Sequence, residues 1–296
     1  MRTPCLLVGS LAVVAMVPEP HQEGFRAELV GAAVISRDEG DDVFPALTPD
    51  GNALYFSRPK EGRGWPDQTI MFSRRAGEGW SEPEVASFSG SQYSDRAPRF
   101  SADGNTLFFT TNRPLPGGTF SANDYNIWVV RRASSGWSDP EALSGSINTS
   151  SPEIHTSVTG DGTLYFASAR PDGHGRSDIY RAAPRGSDYA EAINIGAPIN
   201  TEQSQPDVYV SADGRMMILA ITDHPDGFGG DDLYVSYFRN GRWTTPRNLG
   251  PAVNTPEYEY GPTLSPDGEY LYFSSHRNGS GRIYRIRLAE VGVEIE

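Results

Sequence analysis

The chain has 296 residues and a formal net charge of −13, with 21% charged residues, 37% hydrophobic residues, 32 glycines and 23 prolines. That balance excludes a nucleic-acid partner, whose phosphates need a basic footprint, and leaves cations, basic peptides and neutral ligands. The charge also serves plain solubility, and the glycine and proline content points to a turn-rich all-β protein.

Residues 1–24 differ from everything after them. Arg2 precedes an apolar run of thirteen residues, Cys5 to Val17, in which Val13 and Ala15 are small enough for a cleavage site. This is the layout of a secretory signal, and the run is short for a bilayer span; an uncleaved membrane anchor is the competing reading. The expectation is a signal peptide over 1–24 and a periplasmic or secreted mature chain, 25–296, with no membrane span. Cys5 is the only cysteine, and it precedes the apolar run where a lipid-anchored cysteine would follow it. Its removal leaves no thiol and no disulfide, so stability has to come from packing.

From Phe25 to Ser36, FRAELVGAAVIS reads as a strand with no hairpin partner beside it. Next comes a frame that recurs to the end of the chain. It reads LTPDGNALYFSRP from Leu47, FSADGNTLFFTTNRP from Phe100, VTGDGTLYFASARP from Val158, VSADGRMMILAITDHP from Val210 and LSPDGEYLYFSSHR from Leu264. Asp-Gly between apolar runs predicts a hairpin whose primed turn takes positive φ at both central residues. The turn glycines Gly51, Gly104, Gly162, Gly214 and Gly268 lie 53, 58, 52 and 54 residues apart. Each copy continues through a polar Gly-rich loop to a third strand (IMFSRR, IWVVRR, IYRAA, LYVSYF). A turn carrying Trp80, Trp137, Tyr189 or Trp243 then leads to a fourth strand.

Four strands in about 54 residues make one propeller blade. Phe25 to Glu296 is 272 residues, enough for five such blades and no second domain. FRAELVGAAVIS resembles the segments that close other copies, LGPAVNT from Leu249 and IGAPINT from Ile195, while the last copy stops after its third strand. The sequence thus predicts an all-β, five-bladed β-propeller of four-stranded blades, closed by the N-terminal strand completing the last blade. A sixth blade would need a sixth Asp-Gly frame. Second-strand aromatics such as Phe56, Phe109, Phe166 and Phe273 are expected in the core. The recurrent tryptophans are expected to pack between blades rather than stack on carbohydrate.

The frame x-P-x-φ-S-x-D-G-x-x-L-Y-F-x-S-x-R, followed by D-I-Y and G-W-x-x-P-x-N-L-G-x-x-I-N-T, resembles the WD-repeat-like β-propeller repeat of TolB-type proteins. It runs from about residue 28 to 288. TolB itself has six blades and a preceding α/β domain, so the resemblance concerns the repeat. It implies a binding platform of the cell envelope with a protein or peptide partner.

Eight residues before each turn aspartate stand Asp42, Asp95, Glu153, Gln205 and Glu259, where the innermost strand begins. Arg58, Arg113, Arg170, His224 and Arg277 end the second strands at the same face. Gln205 and His224 belong to the same copy, so acid and arginine are lost together, which points to four structural pairs of carboxylate and arginine fork. An acidic ring attracting a cation is the alternative. The uncharged fourth copy is then the irregular one, with ligand contacts expected at Gln205, His224, Asp226, Asp207 and His155. Asp223, Asp226, Asp231 and Asp232 in DHPDGFGGDD are oxygen donors that a calcium ion would accept, though not at EF-hand spacing. No other cofactor is indicated, and no phosphate loop, nucleophile elbow or HExxH occurs.

The reading is a monomeric, non-catalytic propeller that binds a protein or peptide. Two alternatives remain: a carbohydrate-active hydrolase or lyase using acids at the channel mouth, and a calcium-dependent ligand-binding module. The arginines are expected to keep the paired acids ionised and unfit as general acids.

Overall fold

The computed structural model describes residues 26–37, 40–63 and 66–295. The expected signal segment lies outside them. Each Asp-Gly frame folds into a hairpin, but not with the turn that the dipeptide predicts. In the first copy the Gly51 amide donates to the Thr48 carbonyl at 2.8 Å, and Gly51 alone in the turn takes positive φ, 69°. A type I turn followed by a left-handed glycine replaces the primed turn. The preceding hydroxyl decides it. Thr48 donates to the Asp50 carboxylate at 2.6 Å, and Asp50 in turn accepts the Asn52 amide at 3.0 Å. Ser101, Thr159, Ser211 and Ser265 make the same bond to Asp103, Asp161, Asp213 and Asp267.

Five antiparallel sheets result, each with its innermost strand on the central channel. The innermost strands are Val43–Leu47, Asp95–Phe100, Glu153–Val158, Ser204–Val210 and Glu259–Leu264. The outermost strands of the first four blades are only Glu84–Val85, Glu141–Ala142, Ile193–Asn194 and Arg247–Asn248. In the fifth blade that place is taken by Glu28–Leu29, paired with Arg282–Arg287 so that Glu28 faces Arg285 and Leu29 faces Tyr284. The protein is a five-bladed propeller closed by its N-terminal strand.

That closing strand is shorter than the 25–36 read from sequence, for a reason shared by all the blades. After it the chain must cross to the next innermost strand, and the crossing begins with a tight turn. The Gly31 carbonyl accepts the amides of Ile35 and Ser36, as the Gly196 carbonyl accepts those of Ile199 and Asn200. The Gly250 carbonyl likewise accepts those of Val253 and Asn254. A side chain then latches the crossing to its own sheet. Asn148, Asn200 and Asn254 each accept the first core amide of a third strand (Ile127, Ile179, Leu233) at 2.8 Å. Ser36 accepts the Ile283 amide at 3.3 Å.

The core is divided among the blade interfaces. Tyr55, Phe88, Phe100 and Phe109 pack between the first two blades around Trp137, whose Nε1 donates to the Tyr55 hydroxyl at 3.3 Å. Val30, Ile35, Phe56 and Tyr272 form the corresponding cluster between the fifth and first blades, so the N-terminal segment supplies core as well as hydrogen bonds.

Ile35 is fully buried, and truncating a buried Ile to Ala costs about 2–5 kcal/mol. Ile35→Ala should lower the midpoint of urea unfolding by a corresponding amount across one cooperative transition. A midpoint equal to that of the parent would place the N-terminal segment outside the ring.

Candidate functional site

Each innermost strand carries a bulge near its start, where its register against the second strand shifts. In four blades the bulge holds a residue at positive φ: Phe44 at 55°, Ala97 at 50°, His155 at 49° and Gly261 at 61°. Left-handed backbone costs a non-glycine residue roughly 1 kcal/mol or more, so something must hold it. A hydroxyl from the neighbouring blade does so. The amides of Phe44, Ala97 and His155 donate to Ser274, Ser57 and Thr110 at 2.8, 2.9 and 3.1 Å. In four blades the bulge therefore fixes the residue six before the turn aspartate, His155 among them; Asp207 holds that position in the fourth blade.

Two residues earlier the acids are buried and meet the arginines. Arg58 grips Asp42 at 2.5 and 3.3 Å, and Arg113 grips Asp95 at 3.2 and 2.9 Å. Arg170 reaches Glu153 at 3.4 Å, and Arg277 comes within 3.8 Å of Glu259. The same guanidinium groups donate to the carbonyls of Ile35, Phe88, Ile147 and Val253, at the end of the preceding blade's crossing. The arrangement is a lock between blades rather than an acidic ring around the mouth. One expectation is corrected. Burial pushes the carboxyls of Asp95, Glu153 and Glu259 above their usual range, against the pull of arginine and hydroxyl donors. What keeps them from chemistry is that they are inaccessible.

In the fourth blade Gln205 is fully buried, its amide donating to Thr201 and to the Gln203 carbonyl, so it is not available as a ligand contact. His224 takes the arginine's place against a tyrosine: its ring lies 5.0 Å from that of Tyr234, where Arg170 lies 4.8 Å from Tyr180. Asp226 contacts His224 and accepts the Tyr234 hydroxyl at 3.2 Å, as Asp172 accepts Tyr180 at 3.1 Å. Both residues serve the loop.

The four aspartates of that loop are also dispersed. Asp232 accepts the Phe228 amide, and Asp231 accepts the Thr222 hydroxyl at 2.6 Å. Among the described residues no three His, Cys, Asp or Glu side chains converge as metal ligands would. The glycines explain the loop instead. A Cβ at Gly229 would lie 2.2 Å from the Glu257 carbonyl, and one at Gly230 would lie 2.3 Å from the Tyr258 ring. Their absence lets the loop dock on the fifth blade and hold Tyr258 at its rim.

Beside that rim, at the channel end where the innermost strands begin, lies a cavity of about 380 Å³. Its wall comes from four blades: Asp41 and Phe44, His155, Pro206 with Asp207 and Asp231, and Tyr258 with Tyr260 and His276. Phe44, His155, Asp207 and Tyr260 are buried at its floor, whereas Tyr258 is 49% exposed. The Phe44 ring sits 4.6 Å from His155 and 5.1 Å from Tyr260, and the Tyr260 hydroxyl lies 2.9 Å from His276 Nε2.

His155 Nδ1 is 2.8 Å from the Pro206 carbonyl, which can only accept, and 2.7 Å from Asp207 Oδ1. Nδ1 therefore carries hydrogen. Nε2 is buried without a hydrogen-bond partner. Burial pushes the Asp231 carboxyl up to about 6, against the Thr222 hydroxyl and with help from Asp207 and Asp223. On the far side, Arg99 crosses the channel, donating to the carbonyls of Thr156 at 3.1 Å and Pro45 at 3.5 Å.

His155, Asp207 and Asp231 are the sequence-selected residues that meet here. Asp41, Phe44, Tyr258, Tyr260 and His276 were missed. Phe44 could have been found, because it stands at the same six-residue offset as His155 and Asp207. Tyr258 and His276 gave no signal: loop docking, not spacing, brings them in.

No known protein family and no curated protein matches the chain. Solved structures resemble it in fold. A protein assigned as TolB from Agrobacterium tumefaciens has a TM-score of 0.53 at 15% identity, over 87% of this chain and 80% of that one. An alpha-L-arabinofuranosidase from Lactobacillus brevis has a TM-score of 0.52 at 14% identity, over 84% of this chain and 90% of that one. A puromycin-hydrolyzing peptidase from Mycobacterium tuberculosis gives 0.46 at 14% identity over 79% of this chain, which spans only 34% of that one. At such identities the likeness is one of fold.

The raised Asp231 pKa has a measurable consequence. Between the ordinary value of 3.8 and about 6 the folded chain binds more protons at Asp231 than the unfolded chain, so stability falls as pH rises through that window. Asn at 231 keeps an acceptor for Thr222 and removes the charge. Asp231→Asn should stabilise the protein at pH 7.5 by about 2–3 kcal/mol and leave it unchanged near pH 3.5. Thermal unfolding at both pH values checks this; a neutral-pH gain of zero would mean that the carboxylate is compensated.

Proposed function

We propose that the protein is an extracytoplasmic binding platform that receives a protein or peptide segment at the channel mouth, without catalysis. The cavity walled by four blades carries this reading. It is concave and aromatic, with a buried floor and an exposed Tyr258 at its edge, as a recognition pocket requires. The TolB-type repeat and the apolar N-terminal segment support an envelope location and a protein partner.

A hydrolase acting on carbohydrate is the second reading, favoured by Asp231 as an acid of raised pKa beside the His155–Asp207 pair. The four arginine-locked acids supply no candidates for it, since their side chains are buried in the blades.

A random-peptide library selected on the immobilised protein should enrich a defined motif, with Kd at least tenfold weaker for Tyr258→Ala than for the parent. Tyr258 is exposed, so its loss leaves the fold intact. No enrichment, combined with release of sugar from aryl glycosides or arabinan that Asp231→Asn abolishes, would give the hydrolase reading its place. Enriched peptides indifferent to Tyr258→Ala would move the binding face elsewhere.

A further inference from the structure

We infer that the mouth cavity is selective for an organic cation bearing N–H groups, an ammonium or guanidinium such as a basic side chain or a free amine. This deepens the proposed function and rests on the mouth cavity being the binding site.

The polar groups with assigned roles on its wall are acceptors. Asp207 and Asp231 present carboxylates, and Asp41 adds a third, already accepting the Gly281 amide at 2.5 Å. His155 supplies the independent observation. It is 9% exposed, and its Nδ1 hydrogen is committed to Pro206 and Asp207. In the neutral ring Nε2 is then a bare lone pair, buried and without a hydrogen-bond partner, on a ring that lines the cavity. A ligand N–H would satisfy it; a carbonyl or carboxylate would not.

The apolar part of the wall is compatible with the same guest. Phe44, Tyr258 and Tyr260 offer aromatic surface, on whose faces ammonium and guanidinium groups bind favourably. Charge agrees as well. Among the described residues no lysine or arginine lines the cavity; Arg96 and Arg99, from the second blade, interact electrostatically with Asp207 without lining it, and Asp223 adds negative charge near Asp231. A carboxylate raised chiefly by burial, with help from like-charged neighbours, is one that a bound cation would draw back toward its ionised form.

Isothermal titration of the whole protein with n-butylamine, its neutral counterpart 1-butanol and the anion butyrate tests this. At pH 7.5 butylamine should saturate in the millimolar range, as its few atoms allow, with butanol and butyrate at least fivefold weaker. Tetramethylammonium, a cation without N–H, should fall between. Asp231→Asn should weaken butylamine at least fivefold and Tyr258→Ala at least twofold.

Binding should weaken as pH falls through 6, because Asp231 takes up its proton. Protonation of His155 or His276 would act in the same direction, so the test is whether Asp231→Asn flattens that part of the profile. Library peptides with lysine or arginine, compared with their acetyl-lysine or citrulline forms, separate a basic side chain from a small free amine as the source. Equal binding of butanol and butylamine, or no loss in Asp231→Asn, overturns the inference. Library peptides that need Tyr258 but contain no basic group would overturn it while leaving the proposed function standing.

Discussion

The propeller depends on a half-buried arginine that does two things at once. In four blades a guanidinium from the end of the second strand meets a carboxylate at the start of its own innermost strand, with two nitrogens at Asp42 and Asp95, and its Nη2 donates to a carbonyl from the preceding blade. Burying such a carboxylate costs several kcal/mol unless a partner is fixed in place, and an arginine buried alone would be as unfavourable. Each group is tolerable only because the other is there. The carbonyl contact turns a pair within a blade into a constraint between blades. The first of these locks depends on the N-terminal segment, because the carbonyl that Arg58 meets is that of Ile35. Ring closure and ion pairing are therefore one arrangement.

The fourth blade relaxes that constraint. Gln205 has the acid's burial without its charge, and His224 keeps the arginine's tyrosine contact without reaching inward. Its bulge falls at Gln205 and Pro206, one residue earlier than the His155 bulge of the third blade, and it brings no residue to positive φ. The displaced bulge leaves the Pro206 carbonyl and the Asp207 carboxylate beside His155 of the third blade. Repetition builds the ring, and the departure from it positions polar groups at the channel mouth.

This explains how far the sequence could be read. The period, the blade count and the displaced strand were legible because hydrophobic alternation and turn chemistry repeat five times, so errors in one copy are outvoted by the others. The turn type was missed because the Ser or Thr two residues before Asp-Gly overrides the preference of the dipeptide. The closing strand was overextended because Val30 and Ile35 are as apolar as strand residues, although they belong to a crossing. At the site, covariation within one chain identified the irregular blade, yet only His155, Asp207 and Asp231 of the residues chosen there line the cavity. Gln205 and His224 departed from the pattern yet stayed in structural places, and Asp226 repeats the contact that Asp172 makes in the third blade. A site formed between blades is written in no single copy, so Tyr258 and His276 were visible only in three dimensions.

The electrostatics separate the site from the scaffold. Burial raises Asp95, Glu153 and Glu259 despite their arginines, whereas the exposed turn aspartates have hydroxyls and amides arranged around them. Those donors hold Asp50, Asp103, Asp161 and Asp267 below the usual carboxylate range. Asp231 has one hydroxyl and two aspartate neighbours, and burial drives it the other way. With the Thr222 hydroxyl as its donor, Asp231 is short of partners for a carboxylate at neutral pH. Packing alone does not require the charge, because an amide at 231 would fill the same space and still accept from Thr222. The acid therefore destabilises the free protein, and a ligand carrying positive charge is the partner that would reverse the sign of that contribution.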